Sequence, residues 1–254
     1  MGNSLPPSSM IVESGGGGPR VFKQVGEEFV RYFIDIASLG KHERVLDMGC
    51  GPGRIAVQLT QYLNADAKYE GFDITRHQID WCTKKITSRY PNFRFQLADI
   101  FNSVYNPNGK CHASDYSFPF QNEQFDFVFL ISVFTHMLPD DTSHYLAEIN
   151  RVLKQSGRSF MTFFLLNEES RELIRSNTSS LNFNYDYGDW ATITKDSCES
   201  AVAYDERFVQ NLCELNGLTI RKPIYYGSWC GRKASARDVH FSYQDMLMAY
   251  KRSN

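Results

Sequence analysis

The stretch VLDMGCGPGR, Val45 to Arg54, decides the fold. Val45 and Leu46 begin an apolar strand, and Gly49, Gly51 and Gly53 follow at alternate positions. A helical pattern starts at Ile55 and continues through Leu59 and Leu63. Glycines at a strand-to-helix junction let the backbone turn sharply and let a ligand approach the main chain closely. The helix start then offers unpaired N–H groups and a partial positive charge to an anionic group. The stretch reads as a cradle for a nucleotide-like cofactor at the carboxyl end of a first parallel strand.

The spacing narrows the cofactor. A dinucleotide fingerprint is G-x-G-x-x-G, but here Arg54 stands where the third glycine belongs. Asp47, ahead of the first glycine, is also foreign to that fingerprint. Downstream, KYEGFDIT predicts a second strand ending at Asp73, about twenty residues beyond the turn, where a strand-end acid accepts ribose hydroxyls. Thr75 and Gln78 have the spacing of a capping box, and Ile79, Cys82 and Ile86 share a helical face that ends before Pro91. FRFQL, Phe93 to Leu97, predicts a third strand with Asp99 at its carboxyl end. FDFVFLI, Phe125 to Ile131, is apolar almost throughout, as a central strand buried on both faces requires.

The remaining elements follow. From Gln24 a helical face runs through Val25, Phe29, Phe33 and Ile36 or Ala37, with Gly40 as its stop. Asp140 or Asp141 caps a helix whose inner face is Tyr145, Leu146, Ile149, Val152 and Leu153, closed by Gly157. Arg158 to Leu166 predicts a fifth strand, Asn167 to Ser176 a short helix, and Asp205 the cap of a helix through Phe208, Leu212 and Leu215 that Gly217 closes. LTIRKPIYY and SYQDMLMAY predict a closing hairpin.

The run D-x-G-C-G-x-G-R resembles motif I of the class I S-adenosylmethionine-dependent methyltransferases. FDFVFLISVFTHM followed by YLAEINRVLKQSGR resembles their fourth strand and the helix leading to their fifth. The resemblance spans roughly Gly26 to Leu166. It implies an α/β fold with a Rossmann-like, doubly wound seven-stranded sheet, mostly parallel with one antiparallel strand near the C-terminus. It implies S-adenosyl-L-methionine as cofactor, with Asp47, Gly49, Gly51, Gly53, Arg54, Asp73, Ile74, Asp99, Ile100 and Ser132 as the binding set. Asp73 would take the ribose and Asp99 the adenine amino group, and the helix ahead of the first strand closes over the cofactor in such enzymes or simply packs on the sheet.

Methyl transfer from a sulfonium is an in-line displacement, so the protein mainly aligns the acceptor with the methyl group. A hydroxyl acceptor also needs a general base. His136, just after the fourth strand, is the candidate, and His144 a weaker one. His136, Asp140, Asp141 and His144 do not form a recognised ligand motif, and no metal is expected. The place where DNA amino-methylating enzymes carry an acidic residue or Asn, two prolines and an aromatic reads Ser132-Val133-Phe134-Thr135. The formal net charge of -2 and the lack of a basic run give no footprint for nucleic acid. A small polar acceptor fits best, a sugar or secondary-metabolite hydroxyl, with small-molecule N-methylation as the alternative. A nucleotide-dependent oxidoreductase is disfavoured by the glycine spacing and by the lack of Tyr-x-x-x-Lys after the fourth strand. A non-catalytic cofactor binder is disfavoured by the intact acids and glycines.

Composition predicts the organisation. Residues 1–20, rich in Ser, Pro and Gly, read as a flexible arm ahead of a single domain over 21–254. That domain carries a polar insert at 102–120 and a candidate lid at 177–200 with Tyr185, Tyr187 and Trp190. Arg232 reads either as a solvated loop arginine or as a holder of an anionic or polyol acceptor. The six cysteines show no C-x-x-C pairing and read as reduced thiols. With no apolar run long enough to span a bilayer and no signal-peptide pattern, a soluble cytoplasmic protein is expected.

Overall fold

The structure, a computed structural model, describes residues 5–235 and 240–252. The helices are α1 (Ser8–Glu13), α2 (Gly18–Asp35), α3 (Arg54–Leu59), α4 (Arg76–Cys82), α5 (Pro139–Val152), α6 (Glu168–Arg175) and α7 (Glu206–Leu215). The strands are β1 (Arg44–Met48), β2 (Lys68–Asp73), β3 (Phe93–Leu97), β4 (Phe125–Leu130), β5 (Leu153–Phe163), β6 (Leu165–Leu166), β7 (Tyr185–Asp186), β8 (Trp190–Thr192), β9 (Val202–Asp205), β10 (Leu218–Tyr225) and β11 (Asp245–Lys251).

A seven-stranded sheet has the order β10-β11-β5-β4-β1-β2-β3. β1, β2 and β3 pair in parallel, with Asp47 opposite Gly71 and Asp73 opposite Leu97. β11 runs antiparallel to both β5 and β10, so it is the reversed strand that the resemblance implies. The register slips between Arg221 and Tyr225, around Pro223, which has no N–H to give the ladder. A second sheet, β6-β9-β8-β7, which the sequence reading did not foresee, takes the end of the predicted fifth strand as β6.

The chain divides into two compact units. One runs to Asp99 and takes in Phe125–Phe129; the other comprises Ile100–Gln124 and the chain from Leu130 onward. In the first, Phe33 of α2 packs its ring 5.1 Å from Phe127 and 4.6 Å from Phe129. Tyr69 stacks on Phe93 at 4.8 Å across β2 and β3. α2 and α3 approach with no side chain between them: a Cβ on Gly26 would lie 2.5 Å from the Arg54 carbonyl oxygen. In the second unit, Phe164, Phe183 and Trp229 form an aromatic cluster under the second sheet. The wholly buried Asp245 ties it together, accepting from the Leu165 and Gly227 amides and from the Trp229 indole, each at 2.7 Å. Burial pushes its carboxyl up to about 6 against those donors.

Several boundaries differ from expectation. Composition makes residues 1–20 an arm, yet α1 forms within it, buries Ile11 to 1% exposure, and α2 already begins at Gly18. The Thr75 hydroxyl makes no capping bond; Asp73 Oδ1 accepts the Thr75 amide instead, at 2.8 Å. Neither Asp140 nor Asp141 caps α5: Leu138 takes that position, Pro139 opens the helix, and both acids lie in the first turn. α5 ends at Val152, and Gly157 lies inside β5, where a Cβ would meet the Lys154 carbonyl oxygen at 2.9 Å. That glycine answers a close approach rather than a helix stop. α7 keeps its Asp205 cap, which accepts from the Arg207 and Phe208 amides, but buries Val209, Leu212 and Cys213 and leaves Leu215 83% exposed.

The insert at 102–120 is pinned along one face of α5. Asp141 accepts the Ser114 amide at 2.8 Å, and His144 Nε2 donates to the Tyr116 carbonyl at 3.0 Å. Glu148 accepts the Phe118 amide at 2.6 Å, and Arg151 donates to the Phe118 and Phe120 carbonyls. These positions share a helical face.

Candidate active site

The glycine turn is held open by its backbone. Gly49, Gly51 and Gly53 have φ of 77°, 52° and 78°, the left-handed region that a side chain resists. The Gly49 and Cys50 amides both donate to the Phe72 carbonyl, at 2.9 and 3.1 Å, which lashes the turn to β2. A Cβ on Gly51 would meet nothing closer than Gln78 Oε1 at 3.4 Å, so space lies open above the main chain there. A Cβ on Gly53 would strike Ile86 Cδ1 at 2.7 Å, so this glycine serves packing against the helix after β2.

Three ionisable groups gather around the turn. Asp73, half-buried at the end of β2, accepts the Gly51 amide at 2.8 Å on Oδ2 and the Thr75 amide on Oδ1. The Ile74 amide and the Thr75 side chain add to its donors. Burial raises the Asp73 carboxyl above the ordinary range, and the amide bonds pull it back. Asp47 is buried and accepts the Tyr69 hydroxyl at 2.5 Å. Burial pushes its carboxyl up to about 8; the Tyr69 bond and Arg54 oppose that rise, and the Asp73 charge adds to it. Arg54, the first residue of α3, donates to the Ser14 carbonyl at 3.1 Å, and burial lowers its pKa while Asp47 supports its charge. Glu13 Oε2 accepts from His77 Nε2 at 2.7 Å and from Gln78 Nε2 at 3.0 Å.

The structure thus brings together Asp47, Gly49, Gly51, Gly53, Arg54 and Asp73. Ile74, half-buried, follows directly on β2, and Asp99, exposed, lies two residues beyond β3. The other predicted residues belong to the second unit. Ile100 is buried and bridges to Cys111. Ser132 has φ of 60°, strained for a residue with a side chain. Its amide donates to Thr162 Oγ1 at 2.8 Å and its hydroxyl to Gln244 Oε1 at 3.0 Å.

His136 closes the 3-10 turn Phe134–His136. Its Nδ1 lies 2.9 Å from the Glu199 carbonyl oxygen. A carbonyl only accepts, so Nδ1 carries the proton and the neutral ring keeps a lone pair on Nε2. Burial lowers the His136 pKa below the ordinary value, and the Glu199 carbonyl opposes that shift. The Tyr105 ring meets the imidazole edge-to-face at 5.3 Å. His144 is engaged by the insert, as described above. Among the described residues, no cluster of His, Cys, Asp and Glu is arranged to hold a metal ion. No helix among them is long and apolar enough to cross a membrane.

Three residues were not singled out by the sequence: Glu13, Glu199 and Asp245. Arg232 is not a solvated loop arginine. It is 11% exposed, donates to Glu169 at 2.9 Å and to the Gly227 carbonyl at 2.8 Å, and stacks on Tyr226.

A methyltransferase domain family matches residues 39–217, from the loop before β1 to the glycine that ends α7. The chain belongs to this methyltransferase family. Among curated relatives, the domain is 28% identical over 136 residues to O-methyltransferase cnsE of Penicillium expansum, covering 53% of this chain and 42% of that protein. It is 26% identical over 137 residues to Methyltransferase GfsG of Streptomyces halstedii, covering 53% of this chain and 42% of that one. The chain thus matches less than half the length of these two relatives. Its fold is similar to that of the PH0226 protein from Pyrococcus horikoshii OT3, with a TM-score of 0.60, 21% identity and 92% of both chains covered. It is also similar to magnesium protoporphyrin IX methyltransferase from Synechocystis PCC 6803, solved with bound SAH, with a TM-score of 0.57, 16% identity and 96% and 93% covered.

Proposed function

We propose that the chain transfers a methyl group from S-adenosylmethionine to a small polar acceptor, a hydroxyl of a sugar or secondary metabolite. The observation that carries this reading is the pairing of Asp73 with the Gly51 amide, beside a turn with open space above its main chain. The donor's nucleoside fits there: Asp73 holds the ribose, the glycine backbone admits the amino-acid portion, and Asp99 takes the adenine amino group. When bound, the donor supplies a methyl on a sulfonium whose positive charge activates the leaving group.

The protein's own part is alignment and proton removal. His136 is the general base. With Nδ1–H committed to the Glu199 carbonyl and burial holding the ring neutral, Nε2 is ready to accept the acceptor's proton. In this reading residues 21–254 act as one domain, and the insert at 102–120 and the segment at 177–200 shape the acceptor's surroundings. Hydroxyl methylation is supported by the relative cnsE, an O-methyltransferase.

N-methylation of a small molecule is the second reading. It is supported by the similar fold of a Burkholderia thailandensis 1,6-didemethyltoxoflavin-N1-methyltransferase, with a TM-score of 0.53 over 99% of this chain. Incubation with S-adenosylmethionine and a panel of sugars, phenols and amines, scored for S-adenosylhomocysteine and the methylated product, separates the two. Replacing His136 with Ala should leave donor affinity unchanged and slow hydroxyl methylation by about 10² or more. Full turnover in that variant removes His136 as the base.

A further inference from the structure

We propose that Glu199 is a positioning residue that fixes the tautomer of His136 through its own main chain; this rests on the reading of His136 as the base. Glu199 lies in the 3-10 turn Cys198–Ser200, in a polar stretch with no periodicity to mark it. Its carbonyl receives His136 Nδ1–H at 2.9 Å, and its carboxylate faces the insert. There Oε1 accepts Asn102 Nδ2 at 3.1 Å, and Oε2 accepts the Ser103 amide at 2.8 Å. The same Asn102 Nδ2 donates to the His136 carbonyl at 3.3 Å.

These bonds close a ring through three residues far apart in the chain. The His136 imidazole holds the Glu199 carbonyl, the Glu199 carboxylate holds the Asn102 amide, and that amide returns to the His136 carbonyl. Three further bonds make the ring rigid. Asn102 Oδ1 accepts the Val104 and Tyr105 amides at 3.0 and 2.9 Å, which fixes the turn that sets the Tyr105 ring against His136. Thr192 Oγ1 donates to the Cys198 carbonyl at 2.9 Å, which ties the Glu199 turn to β8. A charged acceptor strengthens the two bonds to the insert. Without the carboxylate, the turn loses its grip on the insert, the Glu199 carbonyl drifts from Nδ1, and the proton redistributes between the two ring nitrogens.

The decisive measurement is the nitrogen NMR spectrum of ¹⁵N-histidine-labelled protein, with the His136 signals assigned by their loss in His136→Gln. The parent protein should show a single Nδ1–H tautomer. Glu199→Ala should show a mixture of tautomers and a kcat lowered about tenfold, with the dissociation constant for S-adenosylmethionine unchanged. Glu199→Gln, which keeps one oxygen acceptor, should fall between. Asn102→Asp keeps Oδ1 for the Val104 and Tyr105 amides but removes the Nδ2 donor, and it should reproduce the tautomer mixture even if Glu199→Ala fails to fold. A purely structural role would lower the melting temperature and leave the tautomer unchanged. That outcome overturns the proposal, whereas an altered tautomer beside an unchanged kcat keeps Glu199 as the residue that fixes the ring and removes His136 as the base. Because the spectrum reads the ring directly, it stays decisive if His136→Ala retains turnover and the base assignment itself falls.

Discussion

At Asp73, two backbone amides and a shortage of water pull on one carboxyl in opposite directions. If that carboxylate holds the donor's ribose, Asp73→Ala removes two charge-assisted hydrogen bonds and should weaken binding of S-adenosylmethionine at least about tenfold by calorimetry. An unchanged dissociation constant assigns Asp73 to the turn alone. Asp47 offers a second test. Its folded carboxyl is raised to about 8, against about 4 in an unfolded chain. The native state therefore holds the proton more tightly. The stability this gives is complete below about pH 4 and is lost as pH rises through about 8. Asp47→Asn removes the ionising group, so its stability relative to the parent should grow between pH 5 and 8 by up to ~1.4 kcal/mol per pH unit. Parallel urea-unfolding stabilities across that range would refute the shift. At this scale the sequence is most informative where a residue's partners are local: Asp47, Asp73 and the glycines between them announce themselves by spacing. Glu199 does not, because its partners Asn102 and His136 lie 97 and 63 residues away. Asp245 is hidden for the same reason, among donors 13 to 80 residues distant.

Elements were legible wherever one face is apolar and the ends carry a local signal. β1 to β4 and α7 with its Asp205 cap follow that rule. Gly157 misleads because a glycine that admits a close neighbour looks the same in sequence as one that stops a helix. α5 misleads in another way: in sequence Asp141 reads as a candidate cap and His144 as a weaker candidate base, yet with Glu148 they hold the insert. Gly53 belongs to this scale, since it sets how the first helix after the turn meets the helix after β2. Gly53→Ala forces a left-handed alanine and drives its methyl toward Ile86 and Cys82. The expected loss is roughly 2–4 kcal/mol in urea unfolding. A loss below about 0.5 kcal/mol would mean that the helix moves aside without cost.

For the whole molecule, the seven-stranded sheet with its reversed strand near the C-terminus was legible only through the family resemblance. The second sheet was not, because its strands are two to four residues long, too short for alternation to register. All six cysteines are free; Cys50, Cys82, Cys213 and Cys230 are buried, and Cys111 and Cys198 are partly exposed. Burial raises the thiols of Cys50, Cys82, Cys213 and Cys230 and makes them poor nucleophiles. A thiol reagent should therefore modify two cysteines readily in the native protein and six after unfolding without reductant. Fewer than six in the unfolded protein would reveal a disulfide.

The first helix carries a practical lesson. Glu13 grips His77 and Gln78 through one oxygen, Ser14 receives Arg54, and Ile11 is packed away from water. A version of the protein trimmed at residue 20, on the ground that its opening is rich in serine and glycine, would lose a hydrophobic plug and both moorings beside the glycine turn. What composition marks as packaging is, by its bonds, part of the wall.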